Sequence, residues 1–278
     1  ARCRRKVVLF DTGKQRNRFT KHLNGYLTRD SISPKKFIEI ARKELLAYNV
    51  IERFLPVVDA KTDGKTFTVT DADGKKYRCK KLLIATGVVD NLPDIPGFKE
   101  LYGISVHHCP YCDGFEYSDK SLAVYGKGKK GLTAARNMLN WTKDIVLCTD
   151  GAAGLQKEHY AVLERLNIKI NKEKIIRLEE KNGRLSRIIF ETSPPLERDA
   201  LFFSTGFKPA CDLPVRLKSD TSSNKEVLVD HLQESSVAGL YVCGDAALEM
   251  KFVIIAAGEG AKAAIAINVE LMKEEYGY

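Results

Sequence analysis

The sequence predicts an α/β fold of two nested units, the second inserted into the first. Three observations carry this. Short apolar runs alternate with helix-period segments along the chain, as strands and helices of a layered α/β protein do. The strings Leu83-Ile84-Ala85-Thr86-Gly87 and Phe202-Phe203-Ser204-Thr205-Gly206 are near copies, so a unit recurs. Asp11 and Asp150 each end a strand at the place where a nucleotide-binding βαβ unit carries its acidic residue. The units are therefore expected to be Rossmann-like, of a three-layer ββα type. The expected boundaries are residues 1–98 and 232–278 for the outer unit and 99–231 for the inner one.

Taken in order, residues 7–10 read as a short buried strand. Ser33-Pro34 starts a helix, with Ser as N-cap and Pro at the first position, and Phe37, Ala41, Leu45 and Tyr48 recur at helical spacing. Residues 67–70 and 77–79 flank Asp71-Ala72-Asp73-Gly74, a hairpin signal. Residues 82–86 form a buried strand closed by Gly87, and Pro93 and Pro96 mark a connection. The second unit begins with strand 122–125, a Gly-rich turn, a helix to about Trp141 and strand 145–148. Residues 175–191 read as two strands around Asn182-Gly183. Strand 201–204 closes on Thr205-Gly206. After the pattern changes near residue 232, strand 240–243 leads to Gly244-Asp245 and a long helix from about Val253 to Lys273.

Composition narrows the function classes. With 44% hydrophobic and 29% charged residues the chain is an ordinary globular protein, neither disordered nor fibrous. Lys plus Arg is 45 against 36 Asp plus Glu, but the basic residues are scattered, so a solvated surface is expected and no nucleic-acid partner. The apolar run at 252–257 is far short of the ~18 residues a membrane helix needs. No hydrophobic leader is visible, and a cytoplasmic protein is expected. Five of the seven cysteines are dispersed, unlike a disulfide scaffold.

Cys109-Pro110-Tyr111-Cys112-Asp113 is the sharpest chemical feature. A C-x-x-C pair is close enough for a reversible disulfide, one thiolate attacking and the other resolving. Zinc would need two further ligands; no second pair exists, though His107 and His108 precede this one, and no metal is expected. Inert packing is the third reading. Asp113 is placed to shuttle a proton, or to serve as a turn acid before Gly114.

Gly126-x-Gly128-x-x-Gly131 follows a strand and opens a helix. The first glycine permits the tight turn, the second lets backbone approach a pyrophosphate, and the third lets strand and helix pack closely. Asp150 lies 24 residues after Gly126, where a carboxylate accepts from a ribose 2′-OH and repels a 2′-phosphate; the alternative is a turn Asp before Gly151. The turn matching Asp11 would lie about 20 residues earlier, before residue 1, so the chain is expected to start inside a βαβ unit. Gly244-Asp245 and the small residues 256–261 would let a helix start approach a large ligand, or simply permit close helix packing.

Together these motifs resemble the thioredoxin reductase-like flavoproteins over essentially all 278 residues: two nested units, Cys109-x-x-Cys112-Asp113-Gly114 ahead of the second Gly-rich turn, and a late Gly244-Asp245-Ala246 followed by 256–261. The resemblance implies FAD in the outer unit and a nicotinamide, NADH or NADPH, in the inserted one. It implies that Asp11 meets the adenosine ribose of FAD and that Gly244 and Asp245 line its ribityl-phosphate region. Lys251, Phe252 and Val253 would lie beside the isoalloxazine ring, with Thr86 and Gly87 in the same cofactor-binding set. Cys109 and Cys112 would form the flavin-facing redox disulfide with Asp113 as acid. Gly126, Gly128, Gly131 and Asp150 would hold the nicotinamide, and a homodimer is implied by analogy.

In place of the basic string that binds the 2′-phosphate in thioredoxin reductases stands Thr149-Asp150-Gly151, which favours NADH. The Cys-Pro-Tyr-Cys pair, with Gly25-Tyr26-Leu27-Thr28-Arg29-Asp30, is similar to the side branch that holds dithiol oxidases of the gliotoxin and holomycin type. Three functions are therefore expected to compete. The first passes electrons from a nicotinamide through FAD and the disulfide to a thioredoxin-like protein or small disulfide. The second oxidises small-molecule dithiols with oxygen. The third is a flavin-free binding protein.

Overall fold

The computed structural model describes residues 1–248 and 250–277. The chain opens with β1 (Val8–Phe10), α1 (Pro34–Leu45) and β2 (Ile51–Arg53), with β1 and β2 paired in parallel. Ser33 caps α1 by accepting from the Lys36 N–H at 3.2 Å, and Pro34 occupies the first turn. Next come β3 (Val57–Thr62), β4 (Phe67–Asp71) and β5 (Lys76–Cys79), an antiparallel meander. The buried Asp71 carboxylate fixes its hairpin turn by accepting from the N–H groups of Asp73 and Lys75 and the Tyr77 hydroxyl. Then follow β6 (Leu82–Ile84) and β7 (Val88–Asp90).

The inserted part carries α2 (Phe98–Leu101), β8 (Val106–His107), α3 (Pro110–Asp113), β9 (Leu122–Tyr125), α4 (Gly128–Asn137), β10 (Ile145–Cys148), α5 (Lys157–Arg165) and β11 (Lys169–Asn171). After these come β12 (Ile175–Lys181), β13 (Arg184–Phe190), β14 (Leu196–Glu197) and β15 (Ala200–Phe203). The chain ends with β16 (Phe207–Pro209), α6 (Leu213–Arg216), β17 (Leu240–Val242) and α7 (Val253–Tyr276). Among the described residues no helix is long and apolar enough to cross a membrane.

The inner unit shows why its strands read as unbroken apolar runs. Its five-stranded sheet has the order β11-β10-β9-β15-β8, with every pairing parallel. Side chains alternate between its faces. Ala123, Tyr125, Val146, Cys148, Leu201 and Phe203 bury with Phe98 and with Leu178, Leu185 and Ile188 of the antiparallel β12-β13-β14 sheet. Leu122, Val124, Ile145, Leu147, Ala200 and Phe202 bury with Leu132, Ala135 and Met138 after β9 and Leu163 of α5. Sheet, sheet and helix thus make the three layers, and a strand covered on both faces has no polar side.

In the outer unit, β6 pairs in parallel with β17, and β7 pairs with β16. Its core gathers Phe67, Val69, Ile84, Leu213, Leu217, Val227, Leu240 and Val242. Residues 7–10 and 82–86 are less buried than their apolar character suggests: Val8, Leu9 and Leu83 are exposed. Each lies in a two-stranded sheet, so burial is incomplete.

The nesting holds, but the boundaries differ from expectation. The outer unit comprises Ala1–Arg18, Gly25–Val89 and the chain from Phe207 onward; the inner one is Phe19–Asn24 and Asp90–Gly206. Beyond the short excursion of Phe19–Asn24, the two crossings that bound the insertion follow the repeated Thr-Gly strings, not the proline-marked connection or the pattern change near 232. Residues 90–98 go with the inner unit because Phe98 is buried against the rings of Tyr125 and Phe203, at 5.8 and 5.3 Å between centroids. Residues 207–231 go with the outer unit because Leu213, Leu217 and Val227 are part of its core.

Leu147 is fully buried in the middle of the inner sheet, so Leu147→Ala should destabilise the protein by about 2–5 kcal/mol. Val8→Ala should cost less than about 1 kcal/mol. Urea denaturation of the two variants checks the contrast, and equal midpoints would contradict the burial described.

Candidate functional site

The cysteine pair follows directly from the end of β8. Cys109 is the extended residue that caps α3, and Pro110 occupies the first turn. The short helix brings the Cα atoms of Cys109 and Cys112 to 5.3 Å, and their sulfurs are joined as a disulfide. Sulfurs bonded to each other are not thiolate ligands, so this state of the pair is a redox state and not a metal site. The Cys109 carbonyl accepts from the N–H groups of both Cys112 and Asp113, at 3.3 and 3.2 Å. Asn24 holds the far end, donating to the Cys112 carbonyl and to Glu116, each at 3.0 Å. Gly114 must lack a side chain: a Cβ there would lie 2.4 Å from the Pro110 carbonyl oxygen and 2.8 Å from the Trp141 ring. Tyr111 and Phe115, on either side of Cys112, are both exposed.

Asp113 points away from an isolated turn role. Its Oδ1 lies 3.4 Å from Nδ1 of the buried His107. His108 takes a separate environment, with Nδ1 3.4 Å from the Tyr102 hydroxyl, which donates to Asp90 at 2.5 Å. Nε2 of His107 lies 3.1 Å from the Tyr117 hydroxyl, and sequence reasoning did not find Asn24, Asp90, Tyr102 or Tyr117 in this region.

Two of the functions expected of the Gly-rich turn are geometric, and both are present. A Cβ on Gly131 would meet the Gly126 backbone at 2.6 Å, and one on Gly126 would meet the Gly131 Cα at 2.9 Å, so strand and helix touch through these glycines. Gly128 has a φ of +58°, a left-handed conformation that glycine adopts without strain. Its N–H donates to the Ala153 carbonyl at 2.7 Å. The segment Gly151-Ala152-Ala153-Gly154 thus lies against the turn, with Ala153 buried.

Asp150 lies in a turn after β10. It sits at φ +48°, and its carboxylate accepts from the Ile175 N–H at 2.8 Å and the Tyr125 hydroxyl at 3.2 Å. Burial, aided by the Asp150 charge, pushes the Tyr125 phenol up to about 12, so it remains a donor at neutral pH. The carboxylate ties β9 and β12 to the turn after β10.

In the outer unit several expected residues converge. Parallel pairing of β6 and β17 sets their carboxyl ends side by side, where Thr86, Gly87, Gly244 and Asp245 follow. A Cβ on Gly87 would lie 3.8 Å from the Asp245 Cβ, and one on Gly244 would lie 3.2 Å from the Ala256 Cβ. Phe252 is the N-cap of α7 and Val253 its first residue. A Cβ on Gly258 or Gly260 would meet nothing within 4 Å, so the glycines open space beside the helix. Strand ends, an open glycine-lined helix face and a half-buried carboxylate fit a flavin dinucleotide.

Three partners in this region had no sequence signal. Arg16 pairs with Asp245 at 2.9 Å, Glu259 accepts the Gly244 N–H at 2.6 Å, and Glu226 pairs with Lys251 at 2.7 Å. Lys251 also donates to the Ala247 carbonyl at 2.7 Å, so its ammonium is engaged within the unit. Asp11 belongs to the β1–β2 pair, and its carboxylate accepts from the Gly13 N–H and from Arg42, each at 2.8 Å.

Comparison with known proteins agrees with this geometry. The family model described as pyridine nucleotide-disulphide oxidoreductase matches residues 1–260. The chain is 30% identical to thioredoxin reductase tcpT of Claviceps purpurea, across 100% of this chain and 90% of that protein. It superposes on the structure of a Bacillus anthracis protein described as a thioredoxin reductase, TrxB, with a TM-score of 0.92 at 32% identity, covering 99% and 93% of the two chains. The crystal structure of HlmI gives a TM-score of 0.94 at 29% identity, covering 99% and 88%.

Asp150→Ala should destabilise the protein by about 1–3 kcal/mol, because it leaves the Ile175 N–H and the Tyr125 hydroxyl without their acceptor. Urea denaturation of the protein free of nicotinamide measures this; an unchanged midpoint would return Asp150 to the role of ligand-binding residue.

Proposed function

The chain belongs to the pyridine nucleotide-disulphide oxidoreductase family, and we propose that its Cys109–Cys112 pair exchanges electrons with an external dithiol or disulfide. The observation that carries this is the disulfide itself, set on a short helix between two exposed aromatic side chains, with Asp113 next to Cys112. A substrate thiolate reaches a sulfur from solvent, and the acid supplies or takes the proton that thiol–disulfide exchange moves. Family membership implies FAD and a pyridine nucleotide. Thr86, Gly87, Gly244, Asp245 and the first turns of α7 are the residues we assign to the flavin, with Asp11 on its adenosine side. When bound, the flavin supplies the two-electron partner of the cysteine pair.

The inner unit favours small dithiols as the electron source, with oxygen as the final acceptor. A nicotinamide would need the Gly128 N–H, which the Ala153 carbonyl holds, and the space that Gly151–Gly154 fills. The expected preference for NADH also loses its basis, because the Asp150 carboxylate is committed to Tyr125 and Ile175. A thioredoxin-like protein remains the alternative partner of the pair, and a cytoplasmic homodimer the assembly we assign by analogy.

An anaerobic titration decides the direction. Dithiothreitol should bleach the flavin of the loaded protein at least ~10-fold faster than NADH or NADPH, since loss of a pyrophosphate-facing hydrogen bond and its space costs upwards of ~1.4 kcal/mol. Replacing both cysteines by serine should abolish the dithiol reaction and leave the flavin bound. Bleaching by NADPH as fast as by dithiothreitol would reverse the direction assigned here.

A further inference from the structure

The amino edge of the inner sheet holds a cluster of cations that the proposed thiol chemistry does not use. Ser121, Asp144 and Asp199 directly precede β9, β10 and β15 and mark this edge. An open hollow of about 510 Å³ lies here, lined by Lys120, Lys181, Arg184 and Arg198 against the carboxylates of Glu197 and Asp199. Apart from Tyr117 and Leu185, every lining side chain is charged or carries a hydroxyl or amide. A volume in this range admits a small molecule, and walls of this kind suit a strongly hydrophilic one.

The fold gathers these cations against their mutual repulsion. Lys181 ends β12, Arg184 begins β13, and the two are direct partners across the antiparallel pair. Like charges placed opposite each other in this way are destabilising. The Lys120 ammonium and the Arg184 guanidinium both lie over the Tyr117 ring, at 5.4 and 5.6 Å from its centroid. Arg184 also donates to the Tyr117 hydroxyl at 2.7 Å, which fixes its place.

Arg198 is the least exposed of the four, with 11% of its side chain in solvent and a buried Nε that has no acceptor. Its carboxylate partner, Asp144, lies 3.4 Å away and also accepts from the Ser121 hydroxyl. Neighbouring carboxylates are engaged elsewhere. Asp199 accepts the Ser121 N–H at 3.0 Å, and Glu180 accepts the N–H of Gly183 in the hairpin turn. Among the described residues, Lys120, Lys181 and Arg184 form no ion pair.

We propose that this hollow binds a small multivalent oxyanion, with Lys120, Lys181 and Arg184 as its ligands. A guanidinium offers paired N–H donors to a phosphate or carboxylate group, and the two ammoniums add charge-assisted hydrogen bonds. A bound anion also offsets the repulsion between Lys181 and Arg184, so part of its affinity comes from a cost the free protein already carries. Phosphate and carboxylate share this chemistry. The inference stands apart from the reading given to the cysteine pair.

Isothermal titration calorimetry of the flavin-loaded full chain with inorganic pyrophosphate and, separately, with citrate tests the site and tells the two kinds of anion apart. At least one should bind saturably with one-to-one stoichiometry. Lys120→Gln, Lys181→Gln and Arg184→Gln should each weaken that binding by ~10-fold, the loss of one hydrogen bond to a charged group. Because Arg184 also bonds Tyr117, the two lysine variants separate lost binding from lost folding, and their urea midpoints should not fall. Lys35→Gln on α1 removes the same charge at a remote place and should leave the affinity unchanged. Lys129→Gln beside the Gly-rich turn should do the same. Absence of saturable binding by both anions, or unchanged affinity in the lysine variants, would overturn the proposal. So would an equal loss in Lys129→Gln, which would put the anion at the Gly-rich turn, or in Lys35→Gln, which would make the attraction a matter of net charge alone.

Discussion

Both faces of the parallel β11-β10-β9-β15-β8 sheet are buried, and the chemistry of the inner unit is arranged by that constraint. A strand covered on two sides can present polar groups only where it ends. Because all five strands run the same way, their carboxyl ends form one edge. His107 ends β8 and His108 and Cys109 follow it, Gly126 follows β9, Thr149 and Asp150 follow β10, and Ser204 to Gly206 follow β15. An open α/β sheet places its ligand chemistry at this edge for the same reason.

The polar groups along that edge are treated in two ways. Around the Gly-rich turn the chain satisfies them itself: Gly128 gives its N–H to Ala153, and Asp150 takes those of Ile175 and Tyr125. A hydrogen bond made within the protein must be broken before a ligand can use either partner. Around the cysteine pair the polar groups are gathered behind the short helix and face one another. His107, Asp113 and Tyr117 are linked within a few ångströms, and Arg184 adds a fixed positive charge. One end of the edge is thus closed by its own backbone bonds, and the other gathers side chains beside the disulfide.

The outer unit relies on ion pairs at the corresponding place. Asp245 faces Arg16, Lys251 faces Glu226, and Glu259 bonds the Gly244 N–H. These contacts hold the strand ends and the start of α7 in register, while Gly258 and Gly260 leave open space beside the helix. Rigid polar ties next to unfilled space are what a large, charged cofactor requires of its protein.

Local chemistry made much of this legible from the sequence. Ser33-Pro34 marked a helix start, Asn182-Gly183 a hairpin, and unbroken apolar runs at 122–125 and 145–148 strands buried on both faces, because caps, turns and burial act over a few residues. The close packing of Gly126 on Gly131 and the closure of Cys109 on Cys112 were likewise set by short spacings. The sequence misplaced the domain crossings, since which core takes Phe98 or Leu213 depends on partners more than 20 residues distant. It could not tell whether Asp150 meets a ribose or the Ile175 N–H, nor that Arg184, Tyr117 and His107 lie in line. Hydrogen-bond partners 10 to 67 residues apart are chosen by how the layers stack, and only the tertiary structure brings such donors and acceptors within 3.1 Å.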